Sequence, residues 1–126
     1  MNNPKLINSL ALAYLGDSIY EVYVREYLLK NNIVKVNELQ KSAVKYVSAK
    51  GQYKYLNMMI DSSFLTEEEL EIVKRARNHK SHTSPKNTDI VTYKYSTGLE
   101  ALIGYLYLSN KNDRIDDIMR YIFNCN

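Results

Sequence analysis

One cysteine in 126 residues, Cys125 beside the C-terminus, excludes a disulfide framework and a cysteine-based zinc site. A reducing, cytoplasmic setting suits such a chain. No apolar run approaches the roughly 20 residues that span a bilayer. The opening MNNPKLINSL lacks the charged-then-apolar layout of a signal peptide, so a soluble intracellular protein with no membrane partner is expected. Two prolines, four glycines, no low-complexity tract and no internal repeat leave little to interrupt helices. Leu, Lys, Glu, Tyr and Ile recur at helical spacing, which predicts an all-α fold. At this length, residues 1–126 form one domain that buries roughly two thirds of its unfolded surface.

The net charge is only +3, from 17 basic and 14 acidic residues, and names no partner by itself. Its distribution is more informative. Lys74, Arg75, Arg77, Lys80 and Lys86 fall between Lys74 and Thr88 with no acid among them, and the remainder of the chain is slightly acidic.

The first helix is expected from about Pro4 to Asn31. Its stripe Leu6, Leu10, Ala13, Asp17, Tyr20, Val24, Leu28 steps by three and four, and Gly16 is a point where it bends or breaks. A second stretch runs from about Val36 to Ile60, interrupted near Gly51. It carries Leu39, Ala43, Tyr46 and Val47 on one face and Lys41, Lys45, Lys50 and Lys54 on another. Thr66 and Glu69 have the spacing of a capping box and start a helix reaching about Lys80. Ser81 to Thr92, with Pro85, Asn87 and Asp89, reads as the one long loop. Tyr93 to Ser109 is apolar almost all round, the pattern of a central helix, and Asn112 or Asp113 caps a last helix through Ile115, Ile118, Met119 and Ile122.

Two acids stand out against this background. Asp17 occupies an otherwise hydrophobic stripe, where an unpaired carboxylate costs several kcal/mol to bury. It caps a helix resumed after Gly16, or it binds a metal. Glu100 is the only ionisable side chain other than tyrosine between Lys94 and Lys111. It belongs to a structural ion pair, or it is a second ligand. Converging carboxylate oxygens, completed by water and substrate phosphate, are what Mg²⁺ requires, so the two acids together point to metal-assisted phosphoryl transfer. Glu21, four residues after Asp17, lies on the same face, where it either joins the metal site or pairs with Arg25.

The stretch KRARNHKSHTSPKNTD offers Arg75, Arg77, Lys80 and Lys86 to phosphates, with Asn78, His79 and His82 among them. A charge run of this kind is either a solvated face or a nucleic-acid contact. His79 and His82 lack the further ligands a zinc site needs. Most of the twelve tyrosines fall at helical spacing among aliphatic residues and read as core or interface.

ALAYLGDSIYEVYVR and STGLEALIGYLYL resemble the two catalytic helices of the ribonuclease III endonuclease domain, which carry LGD and EALIG. RARNHKSHTSPKNTD and VSAKGQ are similar to stretches of the mini-ribonuclease III family, so the resemblance covers nearly the whole chain. The larger family has a Glu four residues before its LGD aspartate and an Asp three residues before its second Glu. Here those positions are Ala13 and Thr97, and Ala76 and His79 replace a Gly and an Ala of the small family.

The resemblance implies a ribonuclease III-like helical fold and cleavage of double-stranded RNA by metal-activated water, leaving 5′-phosphate and 3′-hydroxyl ends. Asp17 and Glu100 would hold Mg²⁺, or Mn²⁺ in its place, with Glu21 as a third donor. Arg75, Arg77, Asn78, Lys80, His82 and Lys86 would contact the RNA. A homodimer would set two sites across the minor groove of A-form RNA, whose shape is read more than its sequence. Precursor 23S ribosomal RNA is the implied substrate, with a ribosomal protein as helper and no trailing double-stranded-RNA-binding domain. The rival reading is a non-catalytic helical RNA-binding or ribosome-assembly module whose two acids are structural.

Overall fold

The computed structural model describes residues 3–33, 35–80 and 88–125. Asn8 opens the longest helix, α1 (Ser9–Lys30), by accepting the Leu10 and Ala11 N–H groups on its side-chain oxygen at 2.8 and 3.3 Å. The helix therefore starts later than its periodicity suggests, and Pro4–Leu6 forms a separate 3-10 turn. Gly16 does not break it.

The next stretch divides into α2 (Val36–Val47) and α3 (Ala49–Asp61). The break is at Ser48, whose extended backbone ends α2 and whose hydroxyl accepts the Gly51 N–H at 3.0 Å to cap α3. Gly51 lies inside the first turn of α3, where a Cβ would overlap the Lys45 carbonyl.

Helix α4 (Glu67–Arg77) begins with the expected capping box. Glu69 N–H donates to Thr66 Oγ1 at 3.1 Å, and Thr66 N–H donates to Glu69 Oε1 at 2.9 Å. The helix stops before Lys80, with Asn78 as its C-cap. Glu69 is also gripped by Arg114 through two bonds of 2.7 and 2.8 Å. Burial pushes its carboxyl up, but Arg114 and the Thr66 N–H outweigh that and the net shift is downward.

Helix α5 (Ile90–Leu108) is capped by Asp89, which accepts the Thr92 N–H at 2.9 Å, so it begins inside the stretch read as loop. Helix α6 (Asn112–Phe123) follows. Asn112 and Asp113 sit in its first turn rather than at the cap, which is Lys111 with no side-chain bond. Asn32, Ser63 and Asn110, at φ 56–64°, reverse the chain after α1, α3 and α5.

All described regular structure is helical, and no described helix is long and apolar enough to cross a membrane. As its composition predicts, α5 is central: Ser96–Thr97 and Leu99, together with 101–106, are buried, and α1, α3, α4 and α6 pack around it. Leu12 and Tyr20 of α1, Leu56 and Met59 of α3, Val73 of α4 and Ile115 and Ile118 of α6 close the core. Each such side chain contributes about 1.5–3 kcal/mol by leaving water. Where α1 crosses α5 there are no side chains between the backbones. A Cβ on Gly16 would overlap the Glu100 carbonyl and lie 2.9 Å from Gly104 N, and one on Gly104 would overlap the Leu12 carbonyl.

Candidate active site

The glycine crossing brings Asp17 of α1 beside Glu100 of α5. The two carboxyls come within hydrogen-bonding reach in a groove also lined by Ala13, Tyr14, Tyr93 and Thr97. Asp17 is exposed, on the flank of the α1 stripe, because the buried position is taken by Gly16. The expectation that it lies within the apolar stripe is corrected accordingly, and no burial cost has to be offset there. Glu100 is the shielded member, half-buried at the floor.

Burial first, then the charge of Asp17 and their hydrogen bond, push the Glu100 carboxyl up to about 8, with a smaller push from Glu21 and an opposing pull from Gln52. Glu100 therefore holds its proton near neutral pH until a cation takes its place. That donor set, hard oxygens open to solvent on one side, fits Mg²⁺, which takes one or two carboxylates and fills its remaining positions with water and phosphate.

Ala13 and Thr97 line the same groove, so the positions where acids are missing are neighbours of the pair. Thr97 turns its hydroxyl to the Tyr93 carbonyl at 2.9 Å. Glu21 is bound to Arg25 at 3.1 Å and lines a different, largely apolar groove between α1 and α2. Among the described residues no three His, Cys, Asp or Glu side chains gather as a metal cluster, so the acid site is a pair.

The basic residues of α4 divide by role. Arg75 donates from all three nitrogens toward the N-terminal segment: Nε to Ser9 Oγ at 3.0 Å, Nη2 to the Ile7 carbonyl at 3.1 Å, and Nη1 to the Lys5 carbonyl. Arg77 lies over the Tyr95 ring at 5.0 Å, and Tyr95 packs on Tyr53. Asn78 and Lys80 are exposed, as are Lys41, Lys45, Lys50 and Lys54 on α2 and α3. His82 and Lys86 lie outside the described residues.

The sequence reading missed Gln52 and Ser96. Gln52 is buried on α3, with Nε2 donating to Glu100 Oε2 at 3.4 Å and Oε1 accepting the Ser96 hydroxyl. The signal was present: Gln52 is the polar member of the stripe Gln52, Tyr55, Leu56, Met59, the same anomaly that singled out Asp17.

Comparison with known proteins identifies the family. The family model described as "Ribonuclease III domain" matches residues 10–111, spanning both acids. The chain belongs to the ribonuclease III family. With membership comes the reaction class, that of an endoribonuclease, in a family generally dependent on divalent metals. Among its relatives this ribonuclease III chain is 46% identical to the Mini-ribonuclease 3 of Enterococcus faecalis over 121 residues, 96% of this chain and 92% of the relative. It is 50% identical to that of Brevibacillus brevis over 121 residues, 96% and 89% of the two chains. The crystal structure of a Fusobacterium nucleatum protein superposes with a TM-score of 0.86 at 32% identity, covering 100% of both chains. The mini-ribonuclease III resemblance read from the motifs thus holds over nearly the full length.

Proposed function

We propose that the chain is a Mg²⁺-dependent endoribonuclease acting on double-stranded RNA, with Mn²⁺ able to substitute, and that its substrate is precursor 23S ribosomal RNA. The observation that carries the reading is the pairing of Asp17 with Glu100 at a solvent-open groove. When bound, the metal would acidify a water and neutralise charge on the scissile phosphate. Asp17 and Glu100 are the residues that would hold it, and Glu21, committed to Arg25, stands outside that set.

The water oxygen bonds to phosphorus, the P–O3′ bond breaks, and the 3′ oxygen takes up a proton. The products are a 5′-phosphate and a 3′-hydroxyl. Arg77, Asn78 and Lys80, with His82 and Lys86 of the following segment, hold the phosphates and sugars of the duplex. Arg75 enters this reading as the strap that fixes the start of α1.

Cutting both strands requires two such sites, so the enzyme acts as a homodimer. Tyr14, 84% exposed beside the groove, together with Val22 on the same helix, supports α1 as part of the contact. The single free cysteine suits the cytoplasm. A ribosomal protein that presents the RNA completes the partners. The test is incubation of purified protein with duplex RNA, with Mg²⁺ and then with excess chelator. Metal-dependent scission is expected, and duplex binding with no cleavage under any divalent ion would leave an RNA-binding module instead.

A further inference from the structure

A buried amide has two donors and an acceptor to place, and leaving them unpaired costs free energy that an aliphatic side chain would not incur. Gln52 is 1% exposed in the α3 stripe, where Leu would fill the space. Both ends of its amide meet the same helix one turn apart, Glu100 at one end and Ser96 at the other. Chemistry sets the direction of this chain. In the ionised form that binds a cation, Glu100 only accepts, so the NH₂ turns to Glu100, the carbonyl turns to Ser96, and the Ser96 hydroxyl donates. Ser96 is itself buried, and neither residue lines the groove.

Glu100 by contrast reaches the groove on a flexible stem, and its carboxylate must stop at one rotation to share a cation with Asp17. We infer that Gln52, itself steered by Ser96, is a positioning residue that fixes the Glu100 carboxylate in its orientation toward Asp17. The inference rests on the metal-site reading of that pair. Groups that hydrogen-bond to metal-binding carboxylates in this way change metal affinity without touching the metal.

Mn²⁺ binding, followed by loss of the free-ion electron paramagnetic resonance signal, tests this on the wild type, Q52L, S96A, the double variant and E100Q, with melting temperatures on the same samples. Wild type should bind and E100Q should not. Q52L should bind about 10- to 100-fold more weakly. In duplex cleavage it should lose kcat at fixed metal while keeping its KM for RNA, because Gln52 does not reach the groove. S96A should weaken Mn²⁺ binding by a smaller factor, and the double variant should be no weaker than Q52L, since both changes cut one chain. Q52L and S96A binding Mn²⁺ as tightly as wild type would overturn the inference. Should Q52L fail to fold, S96A decides alone by the same criterion. Failure of the wild type to bind Mn²⁺, or unchanged binding by E100Q, would remove the metal-site reading itself and is distinct from either result.

Discussion

Gly16 lies directly against the main chain of Glu100, with no room for a single methyl group between them. Helix propensity alone would favour Ala at position 16 by about 1 kcal/mol. Packing opposes it, because the obstructing atoms are backbone and cannot rotate aside. Gly16→Ala should therefore destabilise by about 1–3 kcal/mol or more and separate Asp17 from Glu100, with cleavage falling further than stability. Urea unfolding together with single-turnover cleavage measures both. A variant as stable and as active as wild type would refute the tight crossing.

Neutralising the acids separates chemistry from folding. Asp17→Asn and Glu100→Gln should each lower cleavage by orders of magnitude while leaving circular dichroism and RNA binding intact. Because Asp17 is exposed, its melting temperature should hardly change. Glu100→Gln should raise the melting temperature of metal-free protein, since it removes a carboxyl that is held unfavourably. Wild-type Mg²⁺-dependent cleavage by either variant would sink the site.

The pH dependence of metal-free stability follows from the same carboxyl. With Glu100 raised from 4.5 to about 8, the folded state holds a proton that the unfolded chain releases near 4.5. Stability therefore declines as pH rises between those values, by about 5 kcal/mol in total, and levels off above. Glu69 acts in the opposite sense: its lowered carboxyl contributes stability above the unfolded value, lost as pH falls through the folded one. Melts across pH 4–9 should show the alkaline decline in wild type and not in Glu100→Gln. Mg²⁺ affinity should rise with pH up to about 8, because binding expels that proton.

Arg75 and Arg77, two residues apart, should respond differently to removal. Arg77→Ala with Lys80→Ala should weaken duplex binding and flatten the log–log salt dependence by about one unit per lost phosphate contact. Arg75→Ala should leave the slope unchanged and cost about 1–3 kcal/mol of stability, since its bonds go to Ser9 and two carbonyls of the same chain. A changed slope for Arg75→Ala would put that guanidinium on the RNA.

The helices were legible where side chains alone decide them. The Thr66–Glu69 capping box and the all-round apolarity of α5 are local signals, and both appear as expected. Asp17 and Glu100 were legible as polar residues in apolar company, but which one is shielded was not, because that depends on a glycine on one helix meeting a carbonyl of another. Ser48 was passed over for Gly51 as the break between α2 and α3, since a serine cap shows only through the backbone it accepts. Arg75 read as a phosphate contact because its partners are main-chain carbonyls about 70 positions away, which carry no residue signature.

The Glu69 carboxylate that completes the first turn of α4 is the same one that Arg114 grips, and Arg114 also donates to the Phe64 carbonyl at 2.7 Å. Two segments far apart in the chain, 64–69 and the start of α6, are therefore tied together. In hydrogen exchange, the amides that start α4 and α6 belong to one cooperative unit. Helix α6 is latched at its start by Arg114 and again near its end, where the Tyr121 hydroxyl donates to the Met58 carbonyl at 3.1 Å and Phe123 stacks on Tyr27.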